Sequence, residues 1–181
     1  VKCKEKREME MTGMDDMIIR QAEEKDVDEL TDLDKACFSR PWSRDAFRRE
    51  LTKNPLAFYL AAEREGKIRG YAGLWLICDE GHITNVAVHP DFRRHHVASG
   101  LMTAMINSGF TENVCRYTLE VRKSNSSAQE LYRKFGFREA GLRPGYYGDN
   151  GEAALIMWME RHSAADGESI CGTDRCREGK C

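Results

Sequence analysis

Residues 17–161 predict one α/β domain, a mixed and mostly antiparallel sheet of about seven strands with about four helices. Three observations predict it. Three strand-like runs follow one another, Phe58–Glu63, Ile68–Cys78 and Ile83–Val88, with turn residues Glu65-Gly66-Lys67 and Asp79-Glu80-Gly81 between them. Consecutive strands joined by short turns pair antiparallel. After them, segments of helical and strand period alternate, so the later helices act as crossovers. Finally, 181 residues with 41% apolar and 32% charged content suit one buried core under a polar surface.

In chain order, Met17-Ile18-Ile19-Arg20-Gln21-Ala22 predicts the first strand. Asp26 stands where it would cap a helix running to about Cys37, with Val27, Leu30, Leu33 and Cys37 on one face. Phe38-Ser39-Arg40-Pro41-Trp42 is a loop. Ser43 caps a second helix with Ala46, Phe47 and Leu51 inward, and Pro55 ends that region. The three strands follow. Val97, Ala98, Leu101, Met102, Met105 and Ile106 then keep helical spacing in a helix over 97–109. Tyr117–Arg122 alternates as a strand. Ser124-Asn125-Ser126 caps a helix through Phe135 with Ala128, Leu131, Tyr132 and Phe135 at helical spacing, and Gly136 suits the residue that closes it. Phe137–Leu142 opens a last hairpin, broken by Pro144-Gly145 and by Asp149-Asn150-Gly151, and Ala154–Met159 closes the sheet. Residues 1–16 and 162–181 lack apolar periodicity and predict flexible extensions. The chain starts with Val, so Met9, Met11, Met14 and Met17 are candidate natural starts.

Several function classes fall away. A net charge of −2 and a pI near 6.3 argue against a broadly basic nucleic-acid face, and no direct nucleic-acid partner is expected. No apolar run approaches the ~20 residues of a membrane span. Residues 1–16 carry charge but no apolar signal-peptide stretch, so cytoplasmic residence is expected. Of the seven cysteines, Cys37, Cys78 and Cys115 lie in apolar contexts and predict small core residues. The odd total argues against a disulfide framework. Cys171, Cys176 and Cys181 in the tail match no common zinc spacing, and His82, His89, His95 and His96 offer no fixed ligand pair. No metal is expected.

The segment from His82 to Met105 carries the first functional signal. A buried-strand pattern ends at Val88, His89-Pro90-Asp91 breaks it, and a helix begins near Val97 with Arg93 and Arg94 just before it. Free N–H groups and the positive end of a helix dipole then coincide with two arginine charges, which makes an anion site suited to a phosphate-bearing ligand.

These residues, in order, resemble the GNAT superfamily of N-acetyltransferases. Arg93-Arg94-His95-His96-Val97-Ala98 occupies the family's Arg/Gln-x-x-Gly-x-Gly/Ala signature. Asn85-Val86-Ala87-Val88-His89-Pro90 precedes it. Leu119-Glu120-Val121-Arg122, Asn125, Ala128-x-x-Leu131-Tyr132-x-x-Phe135-Gly136-Phe137, Gly145-Tyr146-Tyr147 and Glu152-Ala153-Ala154 follow. With Pro41-Trp42-Ser43, the set is similar to the RimI-like ribosomal-protein alanine N-acetyltransferases, and the likeness covers residues 17–161. It implies a splayed central pair of parallel strands that admits the pantetheine arm of acetyl-CoA. It implies that Arg93, Arg94, His95, His96, Val97, Ala98 and Ser99 hold the pyrophosphate, that the backbone of Val86, Ala87 and Val88 pairs with the arm, and that Asn125 contacts CoA. The first signature glycine is His96 here. Its side chain crowds the phosphates, donates to them or points to solvent, while the backbone donors survive in every case.

Acetyl transfer to an amine needs a neutral amine and a proton for the departing thiolate. Glu120, flanked by apolar Leu119 and Val121, alternates onto the opposite face from them, which alone suits an exposed glutamate paired with a cross-strand cation. The resemblance implies instead that Glu120 is the general base and Tyr132 the general acid. It also implies that Pro41, Trp42, Tyr146 and Tyr147 wall the acceptor groove, with Ala153 replacing an acidic residue the family often has there. The expected acceptor is the N-terminal alanine of a small-subunit ribosomal protein, acetylated by a monomer. A lysine side chain or small amine, or a non-catalytic CoA-binding role, are the alternatives.

Overall fold

The computed structural model describes residues 16–108 and 114–161. The expectations for residues 1–15 and 162–181, tail cysteines included, lie outside the described residues. Seven strands form one sheet: β1 (Ile18–Gln21), β2 (Ala57–Arg64), β3 (Lys67–Ile77), β4 (Glu80–Val88), β5 (Arg116–Arg122), β6 (Arg138–Tyr147) and β7 (Glu152–Glu160). Four helices accompany them: α1 (Val27–Cys37), α2 (Arg44–Thr52), α3 (Val97–Ile106) and α4 (Ser126–Lys134). The strand order is β1-β2-β3-β4-β5-β7-β6. Only β4 and β5 run parallel among these pairs. No helix of the described residues is long and apolar enough to cross a membrane.

The near-continuous apolar runs of β2 and β3 follow from burial on both faces. Phe58, Leu60 and Ala62 of β2, with Ala72 and Leu74 of β3, pack beneath Val97, Leu101, Met102 and Met105 of α3. The alternate residues Tyr59, Ala61 and Tyr71 face Val27, Leu30 and Leu33 of α1 and Phe47 of α2. One sheet thus separates two apolar layers. The second is closed by edge-on contact between Phe47 and Tyr71, whose ring centroids lie 5.5 Å apart.

Two features of β4 shape the site. Gly73 pairs with Asn85 and Leu74 with Ile83, so Thr84 is the extra residue of a bulge. A Cβ at Gly73 would lie 2.5 Å from the Tyr59 ring and 2.7 Å from Thr84 Oγ1, so a side chain there would displace the bulge. Pairing between β4 and β5 stops at Ile83 and Leu119, although the strands run on to Val88 and Arg122. The splay that the resemblance implies is therefore present, and it leaves the β5-facing edge of β4 without a strand partner from Thr84 onward.

Three local expectations are corrected. Asp26 holds the N-cap position of α1, but its side chain does not cap the helix. A 3-10 turn at Glu24–Asp26 makes it helical already, and its carboxylate accepts instead from the Arg20 guanidinium at 2.6 and 2.9 Å and from the Glu23 N–H at 2.8 Å. Cys78 is not a core residue: it sits exposed in the β3–β4 turn with φ +55. Cys37 and Cys115 are only half-buried. Pro144-Gly145 does not break β6; the strand continues through a register shift between Arg143 and Tyr147. Ser43 and Asn125 do cap their helices, accepting from Ala46 N–H at 3.2 Å and Ala128 N–H at 3.1 Å.

Candidate active site

The splay opens into a cleft of about 470 Å³. Its floor is the diverging ends of β4 and β5. Its roof is the α1–α2 loop on one side and the end of β6 with the β6–β7 turn on the other. Seven of the residues expected at the site line it: Trp42, Val86, Glu120, Asn125, Tyr132, Tyr146 and Tyr147. Pro41 is exposed beside Trp42 and lines no part of the cleft. Ala87 turns its side chain away, into the layer under α1. Val88 packs on the α3 side, and its carbonyl accepts from Arg93 Nε at 3.3 Å.

Alternation along β5 decides which groups face the cleft. Tyr117, Leu119 and Val121 enter the core, while Glu120 points the other way with its side chain 33% exposed. Glu120 Oε1 lies 3.0 Å from Arg143 Nη1 on β6. The cross-strand cation is thus real, and it does not remove Glu120 from the cleft. Tyr132, on the inner face of α4, is buried with its ring 5.9 Å from Phe137. Burial pushes its phenol pKa well above the usual value, reinforced by nearby Tyr147, so the hydroxyl keeps its proton at neutral pH.

The turn into α3 stands apart from this cleft. Arg93, Arg94, His95 and His96 are exposed, and the first α3 N–H with a carbonyl partner is that of Gly100, bonded to His96 O. The N–H groups of Val97, Ala98 and Ser99 therefore lack intrahelical partners, as the first turn of any helix does. Arg94 and His96 both take positive φ, +66 and +59. His96 is thus left-handed at the place where the family signature has glycine. Histidine is among the few side chains enriched there, which explains how the turn keeps its shape without the glycine. His96→Gly should change stability by between zero and about 1 kcal/mol in the stabilising direction, strain relief being offset by unfolded-chain entropy. His96→Val should lose about 1–2 kcal/mol. Thermal unfolding of the two variants checks the opposite signs.

Sequence reasoning missed three groups. Asp34 is fully buried at the cleft wall; its carboxylate accepts from the Tyr71 hydroxyl and, at 2.6 Å, from the Trp42 N–H. Asn85 Nδ2 donates to the same Tyr71 oxygen at 2.9 Å. Burial raises the Asp34 pKa, and its two hydrogen bonds oppose the rise. A signal was present: Asp34 lies at helical spacing with Val27, Leu30 and Cys37, a carboxylate on an apolar face. The second group is Arg122, which reaches Asp149 at 2.7 Å and Glu152 at 3.0 Å and lies 3.9 Å from the Tyr147 ring centroid. Asp149 also accepts from Ser39 Oγ at 2.8 Å, so the two sides of the roof are joined above the cleft. The Arg122 and Ser39 bonds hold the Asp149 pKa down at about 2. Bonds from Ser124 and Arg122 do the same for Glu152, also at about 2. Burial pushes Tyr147 up to about 12. The third is Arg143. No sequence signal pairs it with Glu120, because the contact crosses the intervening strand β7.

Among the described residues no group of three or more His, Cys, Asp and Glu could hold a metal. Comparison with known proteins agrees with the architecture. The acetyltransferase (GNAT) family model matches residues 27–137. A Bacillus subtilis relative, named as a putative ribosomal protein bS18-alanine N-acetyltransferase, is 40% identical over 141 residues, 78% of this chain and 93% of its own. The ribosomal protein bS18-alanine N-acetyltransferase of Escherichia coli K12 is 32% identical over 141 residues, 77% of this chain and 94% of its own. The crystal structure of the Escherichia coli ribosomal-protein-S18-alanine N-acetyltransferase superposes with a TM-score of 0.74 at 28% identity, covering 84% of this chain and 98% of that one. With this match, these relatives and a sheet splayed between β4 and β5, the chain belongs to the GNAT family and is an N-acetyltransferase.

Proposed function

We propose that this enzyme transfers the acetyl group of acetyl-CoA to the α-amine of an N-terminal alanine on a small-subunit ribosomal protein, as a cytoplasmic monomer. One observation carries the mechanism. The splay of β4 from β5 brings Glu120 and Tyr132 into one cleft, with Trp42, Tyr146 and Tyr147 on its acceptor side. The names of the Bacillus and Escherichia relatives support the acceptor.

The cofactor-binding elements fit an extended diphosphate ester with an amide-bearing arm. The α3 turn offers Arg93, Arg94 and the N–H groups through Ser99 to the pyrophosphate. The β5-facing edge of Val86–Val88 offers backbone groups to the arm as a neighbouring strand would. Asn125, already capping α4, lines the cleft where the arm would end. Bound acetyl-CoA supplies a thioester, so the amine nitrogen bonds to its carbonyl carbon while the C–S bond breaks and its electron pair leaves on sulfur.

Glu120 takes a proton from the acceptor ammonium, directly or through a water, because an α-amine of pKa ~7.7–8.0 is largely protonated at neutral pH. Tyr132 gives its hydroxyl proton to the departing thiolate and regains one as the new amide nitrogen sheds its excess proton. One proton is released to solvent per turnover. Trp42 and the Tyr146–Tyr147 pair, whose two rings meet edge to face with centroids 5.1 Å apart, are the walls proposed for the acceptor's first side chain. The test is a panel of alanine-, serine- and leucine-initiated peptides, an N-terminally blocked lysine peptide and small polyamines. The alanine-initiated peptide should have the highest kcat/KM. A preference for the blocked lysine peptide would overturn the acceptor assignment.

A further inference from the structure

Two arginines flank the cleft, and they are held very differently. Arg122 is fixed by Asp149, Glu152, Asn150 and the Tyr147 ring. Arg143 has, among the described residues, one charged partner, Glu120 at 3.0 Å, and one ring contact, Tyr146 at 5.2 Å from its guanidinium carbon. Its side chain is 53% exposed. Glu120 pairs with Ile156 of β7 and Arg143 with Ala154, so the guanidinium reaches diagonally over β7 to meet the carboxylate.

We propose that Arg143 is a displaceable counter-ion of Glu120, which the acceptor ammonium must replace, and that it thereby sets the enzyme's affinity for its acceptor. The inference rests on Glu120 being the group that receives the amine. A guanidinium and a primary ammonium carry the same charge and only donate hydrogen bonds, so they compete for one carboxylate. The pair is single-pointed and half-exposed, and such pairs are weak enough to be exchanged. Once released, the guanidinium keeps its place over the half-exposed Tyr146 ring, already 5.2 Å away, which still attracts a cation. Arg122 cannot play this part, because its two carboxylates hold it in place. Arg143 is a positioning residue that acts on acceptor affinity through Glu120 and does not touch the reacting atoms.

The test measures the Kd of an alanine-initiated peptide for the CoA-saturated enzyme by calorimetry, beside steady-state kinetics. Arg143→Gln should tighten the peptide Kd by about two- to fivefold, the range that a weak exposed pair allows. KM should fall with it, and the gain should not appear in kcat. Arg143→Lys, which restores a cation, should return Kd toward the wild-type value. In the Glu120→Gln background, Arg143→Gln should leave Kd unchanged. An unchanged or weakened Kd in Arg143→Gln overturns the proposal, and so does an effect that persists without the Glu120 charge. Wild-type turnover in Glu120→Gln would instead overturn the general-base assignment, and the two failures are read from different measurements.

Discussion

Glu120→Gln should lower kcat on an alanine-initiated peptide by about 10²–10⁴, the usual contribution of a positioned general base, while leaving acetyl-CoA affinity unchanged. The carboxamide keeps the shape of the side chain and loses its basicity. The ion pair to Arg143 is lost with the charge, but that pair is part-exposed and contributes at most about 1 kcal/mol to stability. The α3 turn that is proposed to hold the cofactor makes no contact with Glu120, so its affinity should not follow. The deficit should shrink as pH rises above the amine pKa of ~8, because the neutral amine then forms without a base. Steady-state kinetics from pH 6 to about 9.5, with calorimetric titration of acetyl-CoA, reads both effects. Turnover equal to wild type at pH 7 would remove Glu120 from the role.

Tyr132→Phe should cost about 10²-fold in kcat with little change in acceptor KM, because the lost proton matters only as the thiolate departs. The substitution suits the test. The ring is buried against Phe137, and phenylalanine keeps that packing while removing only the hydroxyl. The raised phenol pKa keeps the donor protonated across the working range, so wild-type activity should show no loss from Tyr132 ionisation up to pH ~10. Kinetics on the variant, with thermal unfolding as a fold control, decides the matter. An unchanged kcat would assign Tyr132 to packing alone.

Much of the scaffold was legible because it rests on local periodicity. The apolar runs of β2 and β3, the helical spacing of Leu101, Met102 and Met105, and the caps Ser43 and Asn125 all depend on neighbours within a few residues. At two places where local reading failed, pairing with a neighbouring element had intervened. Asp26 looked like a cap, but the Arg20 guanidinium recruited its carboxylate and an extra turn took over the helix start. Pro144-Gly145 looked like a break, but pairing with β7 carried β6 through it as a register shift.

The same division holds at the site. The sequence alone determined the order of elements, the face that Glu120 occupies and the basic turn into α3, because these follow from alternation, caps and charge spacing. It also carried the family resemblance. Only the tertiary structure decided that β4 and β5 part after Ile83 and Leu119, that Arg143 crosses β7 to reach Glu120, and that Asp149 joins Ser39 to Arg122 above the cleft. The physical reason is common to all three. Each brings together strands or side chains from elements distant in sequence, so the partners meet only once the sheet is assembled, and neither segment alone names the other.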